Sequence, residues 1–181
     1  MLIPPVNHAL VVGEVYRSGH PIPLNFPFLD TLNLKTIVYI GTSDDTFEEY
    51  DEWIAQNNIR VVRLPLKSVK EPFVDTDPHV VEEVVKLIID KRNHPILIHS
   101  DKGKHRVGVV MAVVRKCLQM WALAPIYEEY TRFAKGKAEP DFLFIEQFNP
   151  ETLGVPEEFY PKWVHGYRAG PYVETKDNWL L

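Results

Sequence analysis

Residues 95–108 read Pro95-Ile96-Leu97-Ile98-His99-Ser100-Asp101-Lys102-Gly103-Lys104-His105-Arg106-Val107-Gly108. The short apolar run before His99 has the pattern of a strand buried on both faces. A polar loop follows, and the apolar stretch from Val107 to Leu118 is long enough for a helix. A strand-to-helix loop of this kind turns several backbone N–H groups inward at a helix N-terminus, which suits a phosphate dianion. Arg106, six residues beyond Ser100, can close the ring with two parallel charge-assisted hydrogen bonds.

With Cys in place of Ser100 the segment resembles the His-Cys-x5-Arg phosphate loop of cysteine-dependent phosphatases. In those enzymes the positive field of the loop lowers the thiol pKa, and a thiolate attacks phosphorus. A serine hydroxyl gains little from that field and needs a neighbouring base, whereas a phosphate cradle is built from donors. Ser100 is therefore expected to bind phosphate and not to attack it. Val107 is a second departure. The resembled enzymes usually carry Ser or Thr there, whose hydroxyl bonds the nucleophile and helps the hydrolytic step. A laboratory Cys→Ser change would leave that hydroxyl in place, so the pair of losses points to a naturally inactive site.

The chain has 181 residues, enough for one domain with a real core, and its 45% apolar and 25% charged residues are ordinary for a globular protein. No run approaches the roughly 18 apolar residues of a membrane span, and no signal-peptide pattern opens the sequence. One cysteine, Cys117, rules out an internal disulfide and suits a reducing cytosol. A formal charge of −5 argues against nonspecific nucleic-acid binding. Against that background the loop is locally basic: Lys102, Lys104 and Arg106 face Asp101 alone, with Arg63, Lys67 and Lys70 upstream. Basic charge concentrated at a concave site in an acidic protein predicts a small polyanion as ligand.

Strands and helices alternate along the chain, without repeats. Ala9–Tyr16 forms a short hairpin around Gly13, followed by Arg17-Ser18-Gly19. Asn25 caps a brief helix through Asp30, with Asn33 near its end. Lys35–Ile40 and Ile59–Leu66 are strands. Between them Thr46-x-x-Glu49 is a capping box for a helix burying Phe47, Tyr50, Trp53 and Ile54. Asp77-Pro78 opens a helix carrying Val80, Val81, Val84, Val85, Ile88 and Ile89. Pro95–His99 is the central strand, and Pro125 and Pro140 suit the first position of two later helices. This order gives an α/β fold, a mostly parallel sheet flanked by helices. Residues 1–155 carry the pattern; residues 156–181 form a C-terminal arm of the same domain or a partner contact.

The loop Ile98-His99-Ser100-Asp101-Lys102-Gly103-Lys104-His105-Arg106 resembles that of the plant and fungal atypical dual-specificity phosphatases. The resemblance extends through Val15-Tyr16-Arg17-Ser18-Gly19-His20-Pro21, Asn25-Phe26-Pro27-Phe28-Leu29, Leu34-Lys35-Thr36-Ile37, Lys70-Glu71-Pro72-Phe73, Val114-Arg115-Lys116, Trp121 and Glu128-Glu129-Tyr130-x-x-Phe133. These run in family order over about residues 5–150 and as a set are highly specific. The Ser100 and Val107 pair resembles the fungal oxidant-induced cell-cycle arrest proteins, in the branch with Ser in place of the catalytic Cys. The resemblance implies a dual-specificity phosphatase-like fold and a cytoplasmic protein that acts beside active relatives, in a hetero-oligomer with related phosphatase-family proteins. It also implies a ligand class of phosphoproteins or inositol pyrophosphates.

Carried over by residue, Ser100 takes the nucleophile position and Arg106 the phosphate-binding arginine. Asp101, Lys102, Gly103, Lys104 and His105 supply the cradle, with Lys102, Lys104 and His105 available to further phosphates and Lys70 beside them. Glu71 or Asp75 stands where related enzymes carry the general acid; Asp77 needs no role beyond an N-cap. Cys117 reads as a small core residue, and His79 and His94 as surface residues. No pair of histidines has metal spacing, and this chemistry requires no cofactor. Ile98, five residues before Gly103, and His105 after Lys104 exclude a nucleotide P-loop; the lack of glycine two residues either side of Ser100 excludes a hydrolase elbow. Three readings remain: a phosphate-binding protein without turnover, an active phosphatase carrying a Cys→Ser change, and a purely structural subunit.

Overall fold

The computed structural model describes residues 1–42, 47–67, 76–136, 139–150, 153–165 and 167. Five strands form one sheet: β1 (Ala9–Val12), β2 (Val15–Gly19), β3 (Thr36–Tyr39), β4 (Arg60–Arg63) and β5 (Ile96–Ser100). Their spatial order is β1-β2-β5-β3-β4. β1 and β2 pair antiparallel across the turn at Gly13, which has φ +53°; the other three pairings are parallel. β5, last in sequence, is inserted at the centre of the sheet.

Side chains alternate across the sheet because successive residues of a strand point to opposite faces. Ile37 and Leu97 join one core with α1 (Phe26–Asp30) and α2 (Glu48–Gln56), which contributes Tyr50, Trp53 and Ile54. Val38, Ile96 and Ile98 point the other way, into a larger core with α3 (Pro78–Ile89) and α4 (His105–Val113). Every residue of α4 from Val107 to Val113 is buried, so this helix is apolar all round and runs through the core. It passes directly into a π-helical turn, Val114–Leu118. α5 (Leu123–Ala134) and α6 (Glu139–Gln147) cover α4, with Ile126, Tyr130 and Ile145 inside.

Several ends and roles differ from the sequence pattern. Asn25 makes no side-chain cap for α1; its Oδ1 accepts instead from Ile22 N–H at 2.9 Å, within the 3₁₀ turn Pro23–Asn25. Phe47 is the N-cap of α2 and is 51% exposed, so it lies outside the buried stripe; Thr46 is outside the described residues. α3 starts as expected, with Asp77 Oδ1 accepting from His79 N–H at 2.9 Å and Pro78 following. α5 begins two residues before Pro125, at Leu123, so the proline stands third in the helix and not first. His94 is buried rather than on the surface: its Nε2 lies 2.8 Å from Ile88 O and its ring stacks on Trp163. Trp163, Val164 and Tyr160 pack against the larger core, so residues 153–165 lie on the body of the molecule. Among the described residues no helix is long and apolar enough to cross a membrane.

Candidate functional site: a phosphate loop

The loop leaves β5 at its carboxyl end, between β2 and β3. Ser18 and Gly19 stand in register with His99 and Ser100 on one side, and Tyr39 with His99 on the other. Crevices at the carboxyl ends of parallel strands, where the strand order reverses, are the usual ligand positions of such sheets.

Three donors fix the loop from outside. Asp101 O accepts from His20 N–H at 3.2 Å, Lys102 O from Asn7 Nδ2 at 2.8 Å, and Gly103 O from Arg17 Nη2 at 2.8 Å. In a planar trans peptide the N–H points opposite to the preceding carbonyl. Tying these three carbonyls outward therefore turns the N–H groups of Lys102, Gly103 and Lys104 inward. The Gly103 N–H accordingly donates to Ser100 Oγ at 3.2 Å.

Glycine is required twice in this arrangement. Gly103 has φ +64°, and a Cβ there would lie 2.4 Å from Gly19 N and from Ser18 C. A Cβ on Gly19 would lie 2.5 Å from Val6 Cγ1 and 3.0 Å from Lys102 C. The two backbones interlock, so the loop is held by β2 as well as by β5.

The site is strongly electropositive. Lys104 is the N-cap of α4, and His105 and Arg106 occupy its first turn, where the helix dipole already favours anions. Behind the loop Arg17 is 1% exposed, with its guanidinium 3.8 Å from the centre of the Phe133 ring. Burial lowers its pKa to about 10, against the raising effect of Glu129 and Tyr130, so it remains charged at neutral pH. Its Nε and Nη1 have no hydrogen-bond partner among the described residues. A cavity of about 250 Å³ lies in front, lined by Ser100, Asp101, Lys102, Lys104, His105 and Arg106.

Ser100 has no base. Among the described residues the one hydrogen bond to its Oγ comes from the Gly103 N–H. His99 is fully buried, its pKa is lowered to about 3 by burial and then by His20, and its Nε2 lies 2.7 Å from the Tyr50 hydroxyl. His105 makes no hydrogen bond to Ser100: its Nδ1 lies 2.9 Å from the Tyr130 hydroxyl, which donates to buried Asp141. The single Tyr130 proton is committed to Asp141, so His105 Nδ1 carries its own proton and donates it to the tyrosine oxygen. The remaining carboxylate, Asp101, accepts from Arg106 and Tyr39. Burial pushes its carboxyl up, but the hydrogen bonds from Tyr39 and Arg106 outweigh that and hold it below the usual range. Val107, the second departure in the loop, is 0% exposed within the apolar core.

The structure thus brings together Ser100, Asp101, Lys102, Lys104, His105 and Arg106, with Gly103 contributing backbone. Lys70, Glu71 and Asp75 lie outside the described residues. Arg63 pairs with Asp51 at 3.3 Å, and neither it nor exposed Lys67 lines the cavity. Sequence reasoning assigned no role to Arg17, Asn7, Tyr39, Tyr130 or Asp141. Arg17 lies within one of the resembling segments, Val15 to Pro21; the others act through contacts 25 or more residues away in sequence, except the Tyr130–Asp141 pair. No group of three or more His, Cys, Asp or Glu suited to a metal ion occurs among the described residues.

Comparison with known proteins agrees with this geometry. A family model described as tyrosine phosphatase family matches residues 2–165. The tyrosine-protein phosphatase-like protein OCA2 of Saccharomyces cerevisiae is 41% identical over 164 residues, covering 88% of this chain and 81% of that protein. Inositol diphosphatase DSP4 of Arabidopsis thaliana is 39% identical over 155 residues, covering 84% of this chain and 77% of that protein. The solved catalytic core of Siw14, the S. cerevisiae PP-IP phosphatase, superposes with a TM-score of 0.76 at 39% identity, over 82% of this chain and 88% of that one. With this similarity over most of its length, the chain belongs to the tyrosine phosphatase family.

Proposed function

We propose that this chain is a phosphatase-fold protein that binds phosphorylated ligands, inositol polyphosphates or pyrophosphates among them, and does not cleave them. The observation that carries the reading is Ser100: its hydroxyl sits in the cradle, accepts from the Gly103 N–H, and has no base among the described residues. Displacement at phosphorus by an un-ionised hydroxyl requires a proton acceptor; among the described residues His99 and Asp101 are committed elsewhere, His105 holds its Nδ1 on the Tyr130 hydroxyl, and none of the three hydrogen-bonds Ser100. Val107 supports a native serine site, since its side chain belongs to the apolar core. The ligand class is supported by the basic liners of the cavity and by the relatives named inositol diphosphatases. By its resemblance to oxidant-induced cell-cycle arrest proteins, it acts in the cytoplasm with related phosphatase-family proteins, in a stress or cell-cycle response.

Titration calorimetry with inositol hexakisphosphate tests the reading. The chain binds, and Arg106→Ala loses about 2–4 kcal/mol, the scale of two charge-assisted hydrogen bonds, or roughly thirty- to a thousandfold in affinity. Equal affinity of Arg106→Ala and the parent would remove the loop as the binding site.

A further inference from the structure

Arg106, on which anion binding is expected to depend, is already engaged within the chain. Its Nη1 donates to Asp101 Oδ2 at 2.8 Å and its Nη2 to Thr42 Oγ1 at 3.1 Å. Asp101 is held from its other side, where the Tyr39 hydroxyl donates to Oδ1 at 2.6 Å. The arginine side chain is 16% exposed and the aspartate side chain 42%, so the carboxylate reaches further toward solvent than the guanidinium it covers. Both line the same cavity as Ser100, Lys102 and Lys104. The loop therefore carries its own anion, placed on the residue that an incoming phosphate must use.

Building on the phosphate-binding reading above, we infer that Asp101 is an intramolecular competitor for Arg106 and sets the affinity of the loop for phosphate. A phosphate dianion in the cradle must displace the Asp101 carboxylate from Arg106 or share one guanidinium with it. Displacement loses a charge-assisted hydrogen bond that the new one merely replaces. Sharing holds like charges a few ångströms apart in a partly dry cleft, where their repulsion is much stronger than in water. Either route weakens binding relative to a loop with a neutral residue at this position. The hydrogen bonds from Tyr39 and Arg106 favour the ionised form, so the competition operates throughout the neutral range. Asparagine at position 101 has the same shape, can still accept from Tyr39, and lacks the charge.

Inorganic phosphate isolates the cradle from contacts to additional phosphates, and its binding can be measured by titration on the parent, Asp101→Asn and Asp101→Ala. Circular dichroism and thermal melts establish that each variant is folded, and the alanine variant carries the test should asparagine misfold. The inference expects both variants to bind phosphate at least tenfold more tightly than the parent. Binding by the variants with none detectable in the parent supports it equally. A parent that binds, with variants no tighter, overturns the inference and leaves the binding reading standing; Asp101 would then order Arg106 for the ligand. If none of the three binds phosphate, the inference and the binding reading fall together.

Discussion

Ser100 and Arg17 bracket the phosphate loop from its two sides. Ser100 presents an oxygen to the cradle, and the Gly103 N–H that donates to it at 3.2 Å is of the kind that would otherwise serve a phosphate oxygen. Arg17 is the less expected residue. It is a buried cation whose one hydrogen bond among the described residues goes to Gly103 O, and it projects from β2, an element with no motif of its own. Removing a desolvated guanidinium with two nitrogens unpartnered among the described residues relieves its burial cost, which offsets the carbonyl left without a donor. Arg17→Met should therefore keep the fold, since Phe133 offers an apolar partner, while the Gly103 carbonyl loses its anchor and the loop its rear charge. Affinity for inositol hexakisphosphate should fall about tenfold, the loss of one charge-assisted hydrogen bond of about 1.5 kcal/mol. A thermal melt and a calorimetric titration read the two effects separately; unchanged affinity would reduce Arg17 to a packing residue. The sequence showed Arg17 within a resembling segment but gave it no task, because its partner lies 86 residues away.

Elements were legible where one signal dominated. β3 and β5 are buried on both faces and carry continuous β-branched or leucine runs, so their pattern admits little else. Asp77-Pro78 fixed the start of α3 because an N-cap oxygen and a proline at the first position act locally. α2 shows the opposite case. A capping box was legible at Thr46, but Phe47 is the N-cap and stands exposed beside His20, in an edge contact with ring centres 5.7 Å apart. The sequence places His94 beside a helix end, where a histidine is expected to be exposed; Trp163, 69 residues on, stacks on it. The place of the loop between β5 and α4 was legible, because an apolar run stands on either side of consecutive polar positions. Its outer supports, Asn7 and the backbone N–H of His20, were not, since either group is ordinary until the fold brings it against a carbonyl.

At the scale of the whole molecule the sheet places buried histidines where folding must keep them neutral. His99 lies at the centre of the sheet with its pKa lowered to about 3 by burial, and burial also lowers His94 and His8. For a base whose folded pKa lies below its unfolded value of about 6.5, the unfolded chain takes up the proton first as pH falls. This stabilisation is fully present above about pH 6.5 and is lost as pH falls from there toward the folded pKa. For His99 the slope approaches about 1.4 kcal/mol per pH unit below the unfolded pKa, a loss of about 1.6 kcal/mol between pH 6.5 and 5. Urea unfolding across that interval should show the decline, and His99→Gln should flatten it by its own share. An identical slope in the variant would mean that His99 titrates normally in the folded chain.

Across the whole molecule the proposed function joins a phosphate cradle to a hydroxyl that no base among the described residues hydrogen-bonds. The most direct test is phosphate release from an inositol pyrophosphate and from an aryl phosphate, measured on the chain beside Ser100→Ala at protein concentrations that saturate binding. No release above the protein-free rate is expected from either protein, although the chain binds the ligand. Release by the chain that disappears in Ser100→Ala would contradict it, because Ser100 would then be a working nucleophile.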